Sequence, residues 1–321
     1  MEAQLSETAA TIEPEIARFV RETLTESAER AAAETVQPVP IARKREIAEL
    51  VRARWTVGGP DMATTHNLTL PETSLRVRIH IPKHVSTKGT LLYLHGGGWM
   101  VFSIDTHDRI MREYAERTGC AVVGLDYSLA PENRFPQPLL DILCCIDWLR
   151  EEGDAYGLDV STLVIGGDSA GANLALASTL MLRDQKCSMP DGLLLNYVAV
   201  DTEARASHKL YDGLPYMLNA DEMVDFWVGY LDAPTTDNPY ARPLLADLSR
   251  LPPAQLHIAE CDVLLDENLE LDRRLKEAGN EVDTHLWHGA THSFLEAVSI
   301  SETANAAFDA SANWLKGVLS A

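Results

Sequence analysis

From residue 90 onward the chain repeats one unit: a short apolar run, then a helical pattern. "TLLYL" (90–94) precedes a helical pattern near 106–118, "AVVGLD" (121–126) one near 138–152, and "TLVIGG" (162–167) one near 171–184. "AQLHIAE" (254–260) precedes a pattern near 266–278, and "VDTHLWH" (282–288) one near 301–317. "LLLNYVAV" (193–200) reads as a further strand. Runs that are apolar on both faces belong in a parallel sheet, and the helices between them must cover those faces. The expected class is therefore α/β, with a mostly parallel central sheet and helices on both sides. With 46% hydrophobic residues over 321 positions, the chain has ample apolar material for such a core.

Two stretches stand outside the rhythm. Residues 1–55 look helical: Ile12, Ile16, Phe19, Val20 and Leu24 recur at helical spacing, with Pro14 suited to a first turn. Ile41, Ile47, Leu50, Val51 and Trp55 predict a second helix after the breaker "VQPVP" (36–40). Residues 201–250 separate two strands by far more than a usual connection, and Trp227, Tyr230 and Tyr240 within them argue for a folded insertion. "LRVRIHI" (75–81) alternates apolar and polar residues, the pattern of a half-buried strand.

Chemistry enters at Gly167-Asp168-Ser169-Ala170-Gly171, a G-x-S-x-G pattern between a predicted strand and a predicted helix. There a serine can sit on a strained turn with its Oγ clear of the sheet, and the helix N-terminus points N–H groups at whatever reacts. The loop has no lysine for a phosphate-binding Walker motif, and no G-x-G-x-x-G follows the first strand. A serine nucleophile needs a base and a group to orient that base. Both should lie at the carboxyl ends of later strands. His292, in the loop "GATHSF", and His288, at the end of "VDTHLWH", both meet that condition. Asp262 directly follows its strand, while Asp266 suits the first turn of the next helix and Glu260 should point to a sheet face.

The run "LHGGGWM" (94–100) follows the strand 90–94 with three glycines. Glycine loses the most backbone entropy on folding, so a triplet implies backbone that must approach something closely. After a strand of this kind, such a loop supplies half of an oxyanion hole.

Taken together, "HGGGW" (95–99), "DTHDRIMR" (105–112), "DYSLAPE" (126–132), "FPQ" (135–137), "GDSAG" (167–171), "DVLLDE" (262–267) and "HSF" (292–294) resemble, in order and spacing, the hormone-sensitive-lipase-like branch of the α/β hydrolases. The likeness covers about residues 70–318 and is strongest to bacterial acetyl esterases. It implies an α/β-hydrolase fold and a serine carboxylesterase acting on short-chain, acetyl-type esters. The family's catalytic residues fall on Ser169, Asp262 and His292, and its oxyanion donors on Gly97, Gly98 and Ala170. Residues 1–55 become the N-terminal part of a helical cap, completed by the insertion at about 201–240, and residues 56–321 the catalytic domain. Relatives often carry a small residue shortly after the glycines. Here Trp99 and Phe102 stand in that region and are expected to line the substrate pocket and favour short acyl groups.

The resemblance requires no metal and no organic cofactor. A net charge of −21 disfavours nucleic acid and anionic membranes as partners and favours neutral or cationic substrates over anionic ones, while the resemblance implies a small-molecule ester. The acidic N-terminus lacks the pattern of a signal peptide, no apolar run approaches the roughly 18 residues of a membrane span, and the five cysteines form no C-x-x-C pair. The expectation is a cytoplasmic enzyme, and the family likeness suits a homodimer. Two other readings share the fold: a non-catalytic ligand-binding or regulatory protein, and an amidase or deacetylase using the same triad.

Overall fold

The computed structural model describes residues 9–320, so residues 1–8 of the predicted cap segment and residue 321 lie outside the described residues. Two helices, α1 (Pro14–Ala32) and α2 (Ile41–Thr56), come first. Strands β1 (Thr64–Thr69), β2 (Arg76–Ile81) and β3 (Thr90–Leu94) follow. Then α3 (Asp108–Thr118), β4 (Ala121–Asp126), α4 (Gln137–Glu152), β5 (Leu163–Asp168), α5 (Ala170–Asp184) and β6 (Gly192–Asn196) alternate. The insertion holds α6 (Ala206–Leu210) and α7 (Ala220–Leu231). The chain closes with β7 (Ala254–Cys261), α8 (Leu265–Glu277), β8 (Val282–Thr291) and α9 (Glu302–Leu319). Among the described residues no helix is long and apolar enough to cross a membrane.

The eight strands form one sheet in the order β1-β2-β4-β3-β5-β6-β7-β8. From β4 through β8 every neighbouring pair is parallel, and β2 runs antiparallel to both β1 and β4. Successive side chains on each strand serve opposite layers. Leu92, Leu94 and Ile165 pack with α4, α5 and α8, while Leu91, Tyr93 and Val164 pack with α3 and α9. β1 has no counterpart in the sequence reading. Its residues "TTHNLT" are exposed or half-buried at the sheet edge, so no apolar run marks it.

The predicted strand 193–200 ends early, at Asn196. Beyond it Tyr197 turns at φ 36° and leaves the sheet. Its backbone finds side-chain partners on α8 instead: Val198 N–H donates to Asn268 Oδ1 (2.9 Å) and Val200 N–H to Glu267 Oε1 (2.7 Å). An apolar run can therefore be buried without being a strand, because paired backbone is all that burial demands.

α1 opens as expected with Pro14 in its first turn and Glu13 capping Ile16 N–H. Its apolar stripe, Ile16, Phe19 and Val20, is buried with Trp55 of α2 against Phe294, Leu295 and Ala290. Each of those three α1 side chains contributes on the order of 1.5–3 kcal/mol by leaving water. α2 departs from its predicted pattern: Leu50 is exposed, whereas Arg52 is buried. The insertion's helix α7 buries Met223, Trp227 and Tyr230 in the other layer.

Candidate active site

Ser169 sits between β5 and α5 with φ 54° and ψ −117°, backbone that an L-residue adopts only under constraint. The constraint is visible. Ser169 N–H donates to Asn196 O (2.9 Å), and Asn196 Nδ2 donates back to Gly167 O (3.0 Å). A side chain at Gly167 would strike Leu94 O, and one at Gly171 would strike Leu94 O and His95 O. These two glycines thus let the start of α5 lie directly on the carboxyl end of β3.

His292 follows the last residue of β8. Its Nδ1 lies 2.7 Å from Asp262 Oδ2 and its Nε2 lies 2.9 Å from Ser169 Oγ. With Nδ1–H donating to the carboxylate, Nε2 is left to accept the serine hydroxyl. Asp262 is itself fixed by the Leu264 N–H, 3.1 Å from Oδ1. All three side chains are buried. The Tyr197 ring stands edge-on to the imidazole at 5.0 Å and limits its rotation.

The competing residues are elsewhere. The His288 side chain is 76% exposed, against 8% for His292, and bonds Glu260 (3.0 Å). Glu260 also accepts the Gly289 N–H (2.9 Å). The β7–β8 register shifts there, between Ala259 and Cys261, so this outer pair marks a bulge that separates His288 from the site. Asp266 lies in the first turn of α8 and accepts the Ser207 N–H. His257 is buried behind the sheet with Trp287 and Ser311, and burial and the nearby His285 push its pKa down to about 3.

Gly97 and Gly98 have φ of 106° and 57°. The obstacle to a side chain at either is protein rather than substrate space. At Gly97 a Cβ would meet Val101 O and come 2.8 Å from the Phe102 ring, and at Gly98 it would strike the Phe226 ring. The N–H groups of Gly97, Gly98 and Ala170 have no hydrogen-bond partner among the described residues, whereas Gly96 N–H donates to Asp168 Oδ1 (3.1 Å). Only the later two glycines of the triplet therefore have free donors.

The G-x-S-x-G pattern itself gives Asp168 no chemical task. It is a buried anchor that accepts from Tyr93 Oη–H (2.9 Å), Gly96 N–H and His107 Nε2–H (3.3 Å). Burial would raise its carboxyl, but the charge and hydrogen bond of His107 hold it below the ordinary range. His107 is raised in turn: burial opposes its charge, and Asp168 outweighs burial. Thr106 Oγ1 donates to Ser103 O (2.8 Å) and so accepts from His107 Nδ1 (2.9 Å), which leaves both ring nitrogens as donors. His95 braces the loop with Nδ1 on Gly96 O (2.7 Å), stacked on Tyr127. Burial and His107 lower its pKa to about 4, so it stays neutral.

Trp99 requires a correction. It is 0% exposed and stacks on Tyr230 at 4.5 Å, with Trp227 at the same distance. It presents no surface to a substrate; it pins the glycine loop to α7. An apolar residue beside a glycine loop reads the same in sequence whether it faces pocket or core. Phe102 is half-buried at φ 71° beside Gly97. Phe226 of α7, which no motif marks, occupies the corresponding place at Gly98. Among the described residues no group of three or more His, Cys, Asp or Glu could hold a metal ion.

A buried Ser–His–Asp contact stands on the strand–helix turn of a largely parallel sheet, the arrangement of an α/β-hydrolase fold. A family model described as the alpha/beta hydrolase fold matches residues 91–296, and the chain belongs to that family. It is a hydrolase of the hormone-sensitive-lipase-like type. Three solved structures illustrate the likeness. A hyperthermophilic esterase from the archaeon Pyrobaculum calidifontis is 29% identical, with a TM-score of 0.86 over 97% of this chain and 100% of that one. EstE1, a thermophilic and thermostable carboxylesterase cloned from a metagenomic library, is 29% identical, with a TM-score of 0.83 over 88% and 98%. An esterase from the bacterial hormone-sensitive lipase (HSL) family is 28% identical, with a TM-score of 0.82 over 96% and 99%.

Proposed function

We propose that the protein is a serine carboxylesterase that hydrolyses short-chain, acetyl-type esters through an acyl-enzyme. One observation carries this reading: Ser169 Oγ lies 2.9 Å from His292 Nε2, while Nδ1 of the same ring lies 2.7 Å from Asp262. Ser169 attacks the ester carbonyl as His292 takes its proton, and Asp262 holds the tautomer and stabilises the imidazolium. His292 returns the proton to the departing alcohol, then activates the water that releases the acid. The N–H groups of Gly97, Gly98 and Ala170 receive the oxyanion. Each such donor lowers the barrier by about 3–4 kcal/mol. The resemblances to solved esterases support the same chemistry. The Phe102 and Phe226 rings beside the two glycines support a small acyl group. Residues 1–55 and the insertion at 201–240 act as the cap; their contact at Arg52 and Met217 supports a common role. The five free cysteines support a cytoplasmic location, and the family likeness a homodimer.

The test is hydrolysis of p-nitrophenyl esters from acetate to long chains by wild type and Ser169→Ala, with a matched amide alongside. Wild type should prefer the short esters over the amide, and Ser169→Ala should be inactive with an unchanged melting temperature. Turnover by the alanine variant would refute the assignment.

A further inference from the structure

One face of α2 carries Arg45, Glu49 and Arg52, spaced so that their side chains form a single stripe. All three reach the segment just after the glycine triplet. Arg45 Nε donates to Met100 O (2.8 Å) and its Nη2 to Ala130 O (2.8 Å), with Glu132 pairing the guanidinium from outside (2.6 Å). The Ser103 hydroxyl donates to Glu49 Oε1 (2.6 Å). The Arg52 guanidinium lies 4.8 Å from the Phe102 ring centre and 2.6 Å from the Glu296 carboxylate, with both ions buried. Residues 100–102 in turn form the wall of Gly97. Gly97 O accepts the N–H groups of Met100 and Val101 (3.0 Å each), and Val101 O and the Phe102 ring fill the space where a side chain would stand.

A buried ion pair is a poor device for mere adhesion, because apolar side chains would pack the helix without the desolvation cost. Three polar side chains directed at Met100, Phe102 and Ser103 instead specify a position. We propose that α2 is a clamp on the oxyanion loop, with Arg45, Glu49 and Arg52 as positioning residues that set the direction of the Gly97 and Gly98 N–H groups. The proposal rests on the esterase reading, in which those groups are the donors.

The experiment uses the full chain labelled with 15N-glycine. It compares Arg45→Met, Glu49→Ala and Arg52→Lys with Arg54→Met, a control on an exposed side chain of the same helix that pairs with Glu22. Arg45→Met and Glu49→Ala alter partly exposed side chains and strand no buried ion, so they keep the test open if Arg52→Lys fails to fold. The assigned Gly97 and Gly98 amide resonances should move in the clamp variants and stay fixed in Arg54→Met. kcat on p-nitrophenyl acetate should fall by about ten- to a hundredfold, with KM within about threefold, as misaimed transition-state contacts require. Amides that do not move in the folded clamp variants overturn the clamp, whatever the activity. Amides that move while kcat stays constant uphold the clamp and overturn the assignment of Gly97 and Gly98 as donors.

Discussion

Replacing Gly97 by alanine should remove most of the activity and little of the fold. The residue has φ 106°, beyond even the left-handed region that non-glycine residues occasionally visit. An alanine held there would carry about 1–3 kcal/mol of strain. It would also press its Cβ into Val101 O and to within 2.8 Å of the Phe102 ring. The carbonyl belongs to a turn that Gly97 O itself ties down, so the cheaper escape is rotation of the 97–98 peptide units. That rotation takes a donor off the oxyanion, a loss of roughly a hundred- to a thousandfold in kcat. Because the bound ester has no oxyanion, and the charge develops only as the carbonyl is attacked, KM should change by no more than about threefold. Gly157→Ala is the control. Gly157 has φ 76°, nothing stands within 4 Å of its Cβ position, and it precedes β5 at the opposite end of the sheet. It should lose stability but keep kcat. The assay is steady-state hydrolysis of p-nitrophenyl acetate with melting temperatures measured in parallel. A folded Gly97→Ala protein with kcat within about threefold of wild type would refute the reasoning.

Three further outcomes are expected. Phe102→Gly and Phe226→Ala should each extend the acyl-chain profile toward longer p-nitrophenyl esters; an unchanged optimum in both would contradict their place beside the two glycines. Asp168→Asn should melt lower, by about 3–5 kcal/mol of lost stability for a broken buried pair. It should also lose kcat, because an amide NH2 facing the His107 Nε2–H disturbs the anchor that holds Gly96; full activity in a destabilised protein would separate the anchor from the site. Acid should destabilise the fold through His95 and His257. The unfolded chain takes up these protons near pH 6.5, the folded chain only near 4 and 3, so stability is full above about 6.5 and falls as pH drops toward 4. Urea midpoints of His257→Gln should fall less steeply between pH 6.5 and 4.5 than those of wild type, and equal slopes would count against the assignment.

The sheet was legible because parallel strands buried on both faces leave continuous apolar runs, and the helices between them keep their period. α4, expected near 138–152, spans Gln137–Glu152. β1 was illegible because an exposed edge strand has no apolar face to display. The end of β6 was illegible because its pairing passes from a strand to the side chains of Glu267 and Asn268, some 70 residues away. At the site, Ser169, Asp262 and His292 could be nominated because each has a local signature: a turn motif, a strand end, a loop. Phe226 and Arg52 have none, and the motifs that contain Asp168 and His107 do not show that the two pair with each other. Their partners lie far along the chain, and only packing brings them to the glycine loop. Trp99 was misread for the same reason.

The burial of α1 and α2 against residues 290–295, with the Arg52–Glu296 pair at its centre, sets a schedule for biosynthesis. Arg52 must wait roughly 240 residues for Glu296, which at a ribosomal pace of roughly 5–20 residues per second is about 12–50 s. Through that interval Ile16, Phe19, Val20 and Trp55 have one another but lack their final cover from residues 290–295. α1 and α2 are therefore among the last elements to settle, and they are the segment of this chain that most needs shelter while it is being synthesised.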